Sequence, residues 1–102
     1  MKPRRLVLAF LPWCAAALGA EAPAPDPSGR YGFDWSAPDT ARCVLVDGAM
    51  KRRLGACAKA DTPSFTGARD HLVCPIGTGE FLAFPTRTRC EDELATMQAN
   101  AP

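Results

Sequence analysis

Four cysteines, Cys43, Cys57, Cys74 and Cys90, limit most strongly what this chain can become. They are separated by thirteen, sixteen and fifteen residues, so no two form a Cys-x-x-Cys pair. A zinc site usually takes two ligands a few residues apart, and a dithiol redox centre needs equally close thiols. Neither spacing is present, so no metal ligand, redox centre or cofactor is assigned. What remains is a disulfide framework of two bridges. Four cysteines admit three pairings, and sequence cannot choose among them. Proximity along the chain, and a C-terminal helix expected to lie on the neighbouring hairpin, favour Cys43–Cys57 with Cys74–Cys90.

Such bridges need an oxidising compartment, and the N-terminus supplies a route to one. Met1-Lys2-Pro3-Arg4-Arg5 is basic, Leu6 to Leu18 carries no charge, Ala15 to Ala20 is built of small residues apart from Leu18, and the first acid is Glu21. This is the three-part pattern of a secretory signal peptide. The apolar run is well short of the roughly twenty residues a spanning helix needs, and Pro12 interrupts it. A signal over 1–20 and no stable membrane span after its removal are therefore expected. The fifth cysteine, Cys14, leaves with the signal. The bulky Trp13 before it disfavours a lipoprotein cut.

Removing 1–20 takes three of the twelve basic residues and none of the eleven acids. The net charge becomes about −2, which speaks against nucleic acid or an anionic membrane surface as a partner. Abundant Ala, Pro and Arg point to a bacterial protein, periplasmic or secreted. One small domain is left. A core of this size contributes little net stability, so each bridge matters at roughly 2–4 kcal/mol against a total of about 5.

Residues 21–29, with Pro23, Pro25 and Pro27, read as a flexible Pro-rich leader, and 30–102 as a single disulfide-stabilised domain. Tyr31, Phe33 and Trp35 alternate as in a strand with three aromatics on one side, which suits core packing or an aromatic binding strip. Arg42 to Asp47 reads as a short strand ended by Asp47-Gly48. Met50, Leu54, Cys57 and Ala58 fall at helical spacing, weakened by Gly55. A loop follows, with Phe65 tucked inward. Asp70–Ile76 and Glu80–Pro85 flank Gly77-Thr78-Gly79 as a β-hairpin. A helix over about 89–99 follows, capped by Thr88 and Glu91 as a capping box, with Cys90, Leu94 and Met97 on its apolar stripe. The fold class expected is α+β: a small antiparallel sheet, including the hairpin near 70–85, packed against the C-terminal helix.

No catalytic constellation emerges. His71, the only histidine, reads as a surface residue at a strand edge, with pH-dependent binding as its functional alternative, and Ser28, Ser36 and Ser64 lie in turn-like settings without a nucleophile elbow. Asp47, Asp61, Asp70 and Glu80 are scattered over loops and strand ends, which does not suit a paired-carboxylate site. Lys51-Arg52-Arg53, with Arg42 and Lys59 nearby, reads first as a solvated charged face and second as a local basic patch. Gly77-Thr78-Gly79 precedes a strand rather than a helix, unlike a phosphate loop. The expectation is a non-enzymatic interaction module whose partner is an unknown protein or envelope component. The alternatives are a small cell-envelope enzyme, or a structural or stress-protective envelope protein.

Overall fold

The structure, a computed structural model, describes residues 23–100. The expected signal over 1–20, with Cys14, lies outside the described residues. The fold is organised around its most apolar segment. Phe81-Leu82-Ala83-Phe84 has no polar residue to turn towards water, so a strand made of it must be covered on both faces. All four residues are buried, in the strand Gly79–Phe84. That strand, β5, takes the centre of a five-stranded antiparallel sheet. The others are β1 (Tyr31–Asp34), β2 (Val44–Leu45), β3 (Ala58–Lys59) and β4 (Leu72–Ile76), in the order β2-β1-β5-β4-β3.

The expected hairpin is present. Ile76 faces Gly79, so the connection is the two residues Gly77 and Thr78. Gly77 has φ +56°, while no residue other than glycine has positive φ. This is the sign pattern of a type II′ turn, whose twist matches that of the flanking strands. On the other side of β5, Gly32 of β1 pairs with Ala83. A Cβ there would overlap the Leu82 carbonyl oxygen and come within 2.5 Å of the Phe81 ring, so only glycine admits this approach.

The side-chain alternation of β5 makes two cores. Phe81 and Ala83 join Val46, Met50, Cys57, Leu72 and Cys74 on one face. Leu82 and Phe84 join Phe33, Cys90 and Met97 on the other. The first face is covered by α1 (Gly48–Arg53), which starts where the Asp47 carboxylate accepts from the Met50 N–H at 2.8 Å and ends at Leu54, just before Gly55. The second is covered by α2 (Arg87–Ala99). The end of the Pro-rich stretch also packs on the domain. Pro27 is buried, Gly29 donates to the Val46 carbonyl at 3.0 Å, and Asp26 pairs with Lys51 at 3.1 Å.

Several expectations need correction. The bridges are Cys43–Cys90 and Cys57–Cys74, not Cys43–Cys57 and Cys74–Cys90. Cys74 lies beside Phe81 on the α1 face, whereas Cys90 is on the α2 face, so the sheet stands between them. The pairing of Ala58 with Val73 brings Cys57 opposite Cys74, at a Cα separation of 4.1 Å. Cys43, just before β2, packs with the α2 core and reaches Cys90 there. The strand expected over Arg42–Asp47 is only Val44–Leu45. Helix α2 begins earlier than expected and is capped by Thr86, not Thr88. The Thr86 hydroxyl accepts from the Arg89 N–H at 3.1 Å.

Candidate functional site

A carboxylate in the wrong place by any pattern rule marks the site. Glu93 lies on α2 between Cys90 and Met97, on the face turned to the sheet, and is 0 % exposed. A buried carboxylate is costly unless hydrogen bonds satisfy it. Four donors do so here. The Ser64 hydroxyl donates at 2.7 Å, the Thr66 N–H at 3.2 Å, the Thr66 hydroxyl closely, and the Arg89 guanidinium at 3.2 Å. Burial by itself would raise the Glu93 pKa. The hydrogen bonds from Thr66 and Ser64, with Arg89, outweigh it and hold the group below its ordinary value. Arg89 also binds Asp70 at 2.7 Å, and that hydrogen bond lowers the Asp70 pKa.

The network grips the loop that carries Phe65. Ser64 and Thr66 bracket Phe65. The loop between β3 and β4 is closed further by the Ser64 N–H on the Ala68 carbonyl (2.7 Å) and the Gly67 N–H on the Ser64 carbonyl (2.9 Å). Phe65 is therefore fixed in place while remaining 37 % exposed, rather than tucked inward. Its ring lies 6.4 Å from Phe33 and 6.0 Å from Trp35, the latter edge to face. Phe33 in turn stacks on Phe84, and Phe84 on His71. An aromatic column thus runs from buried His71 to the surface. It ends at Trp35, 40 % exposed, whose indole N–H donates to Glu80 at 2.8 Å. Of the three aromatics expected on one side of β1, Phe33 is core and Trp35 is surface.

Under the Phe65 loop lies a cleft of about 230 Å³, with Val73 and Leu82 on the sheet side, Trp35 and Glu80 at one end and His71 at the other. His71 is not the surface residue expected: its ring stacks on Phe84 and is 4 % exposed, and its Nδ1 has no hydrogen-bond partner. Burial lowers its pKa, as do Arg89 and Arg30. Glu93 and Asp70 oppose the shift without cancelling it, so the ring is held towards the neutral form.

The other singled-out side chains are engaged in contacts of their own, and Ser64, His71 and Glu80 share only the lining of the cleft. The Ser64 hydroxyl is directed to Glu93 rather than His71, and the Ser36 hydroxyl accepts from the Glu80 N–H at 2.9 Å. Asp47 caps α1, Asp70 binds Arg89 and Glu80 binds Trp35, so these carboxylates serve separate tasks. Lys51, Arg52 and Arg53 are exposed on α1. Arg42 and Arg53 border one groove, while Lys59 lies on β3 at the far edge of the sheet. Among the described residues, no group of three His, Cys, Asp or Glu side chains could hold a metal ion, and no helix is long and apolar enough to cross a membrane.

Sequence reasoning missed Glu93 and the presentation of Phe65. The available signal was a charge set in an apolar helical stripe, facing a loop rich in Ser and Thr. Fold and site together describe a two-disulfide α+β domain that displays a braced aromatic edge. No protein-family model, curated protein or solved structure matches the chain.

Proposed function

We propose that this chain is a small exported, non-enzymatic interaction module of the periplasm or secreted space, and that it binds a protein or envelope component through the Trp35–Phe65 edge. The observation that carries the reading is the Glu93 grip on the residues either side of Phe65. Large aromatics held rigid before contact lose little entropy on binding, which is why they dominate the energetics of interfaces. The two disulfides agree with export, since such bonds persist in oxidising compartments.

Site-specific crosslinking tests it. A photoreactive side chain at Pro63, beside the edge, is expected to give one discrete stoichiometric adduct in the native compartment. The same group at Arg52 on α1 gives none, and Trp35→Ala removes the adduct at 63. Absence of an adduct at both positions, or an adduct indifferent to Trp35→Ala, overturns the reading.

A further inference from the structure

The cleft under the Phe65 loop has a definite chemistry. Its one formally charged group is Glu80. Among the described residues no basic side chain lies within salt-bridge distance of Glu80. Trp35 and Phe65 set two aromatic rings at 69° to each other beside that carboxylate. Ring faces attract cations, and a carboxylate beside them strengthens the preference. The sheet side is apolar, made by Val73 and Leu82, with Val73 opposite Leu82 in the hairpin register. At the end away from Glu80 stands His71, almost wholly buried, with Nδ1 unpartnered.

We propose that this cleft receives one basic side chain, lysine or arginine, of a partner polypeptide. The inference rests on the reading of the Trp35–Phe65 edge as the binding face and names what that face recognises. The methylenes of the side chain lie on Val73 and Leu82. Its cationic head sits among the Trp35 ring, the Phe65 ring and the Glu80 carboxylate. A cleft of about 230 Å³ has room for one such side chain. A neutral aliphatic side chain fills the same floor but leaves the Glu80 charge uncompensated, which is how a polar site discriminates.

The two ends of the cleft carry their own reporters. His71 is the only histidine of the chain, and Trp35 is the only tryptophan among the described residues. Their imidazole and indole resonances are followed in the exported protein during titration with N-acetyl-lysine methylamide and N-acetyl-arginine methylamide. The neutral comparator is N-acetyl-norleucine methylamide, and tetramethylammonium stands for a free small cation. Saturable shifts of both reporters are expected with the two basic probes, with binding at least about tenfold weaker for norleucine and for Glu80→Gln. Glu80→Gln keeps shape and folding, which circular dichroism checks.

Equal binding of norleucine and lysine probes overturns the cation reading while leaving the aromatic edge as a binding face. Binding of tetramethylammonium alone overturns a polypeptide source. No shift of either reporter with any probe overturns the proposal, and the crosslinking at 63 then decides independently whether the module reading stands.

Discussion

The two faces of the sheet are built on opposite principles. The α1 face is apolar throughout: Val46, Met50, Leu72, Phe81 and Ala83 pack around Cys57–Cys74, a bridge between neighbouring strands. The α2 face has an apolar centre in Phe33, Phe84 and Met97, but is flanked by Glu93, Arg89, Asp70 and His71. Its bridge, Cys43–Cys90, joins distant parts of the chain. One face contributes stability with no polar group at risk. The other accepts buried polar groups whose satisfaction depends on one loop, and that loop presents the exposed aromatics. The difference teaches what a buried charge can do: on the α2 face it ties a loop to a helix, which apolar packing alone does not do on the α1 face.

The strongest way to break this comparison is to remove each bridge. Loop-closure entropy assigns about 4 kcal/mol to Cys43–Cys90, with a separation of 47 residues, and about 3 kcal/mol to Cys57–Cys74, with 17. Paired Cys→Ala variants compared by urea denaturation should lose stability in that order. The reverse order would mean that the α1 face depends on its bridge more than its packing implies.

Glu93→Ala comes next. It strands Arg89, Ser64 and Thr66 around an unfilled buried site and is expected to cost about 3 kcal/mol. It should also change Trp35 fluorescence, because Phe65 is released. Met50→Ala on the opposite face costs a similar 2–3 kcal/mol, roughly, through a cavity, yet should leave Trp35 emission in the folded protein unchanged. If both variants move the emission alike, the loop is not held separately.

Acid sharpens the contrast further. The folded pKa of His71 lies below its ordinary 6.5, so just below that pH the unfolded chain takes up a proton that the folded chain refuses. Stability is therefore complete above about 6.5 and declines as pH falls. Asp70 and Glu93 also lie below their ordinary 3.8 and 4.5, so their contribution is present above those values and is lost at lower pH. Thermal melts from pH 8 to 3 should show both phases. His71→Phe should remove the first and keep the second. The smallest effect is that of Trp35→Ala on stability, expected within about 1 kcal/mol because the ring is largely outside the core, even as the adduct at 63 disappears.

How much of this was legible in the sequence follows from the range of the interactions. The hairpin and α2 depend on neighbours, so alternation, Gly77 and the apolar spacing revealed them. The helix start misled because Thr88 with Glu91 completes a capping pattern that Thr86 with Arg89 lacks, yet Thr86 follows Pro85 and holds the extended geometry. The bridges were hidden because β3 has only two residues, Ala58 and Lys59, too few to signal a strand whose register decides Cys57. Glu93 was hidden because its partners Ser64 and Thr66 stand 29 and 27 residues away. A charge in an apolar stripe reads as an interruption until those partners are known.

The placement of β5 also governs the order in which this molecule can be assembled. Its partner on one side, β1, leaves the ribosome well before Phe81 to Phe84, the residues it must meet. Until then no middle layer exists for either core to form upon, and four adjacent greasy residues remain to be hidden at once when they emerge. The outermost strands, two residues each, offer little template for joining a second molecule edge to edge once assembly is complete. The window for self-association is therefore the interval before the centre closes, and a holdase guarding the β4–β5 hairpin should raise the yield of native protein more than one guarding β1.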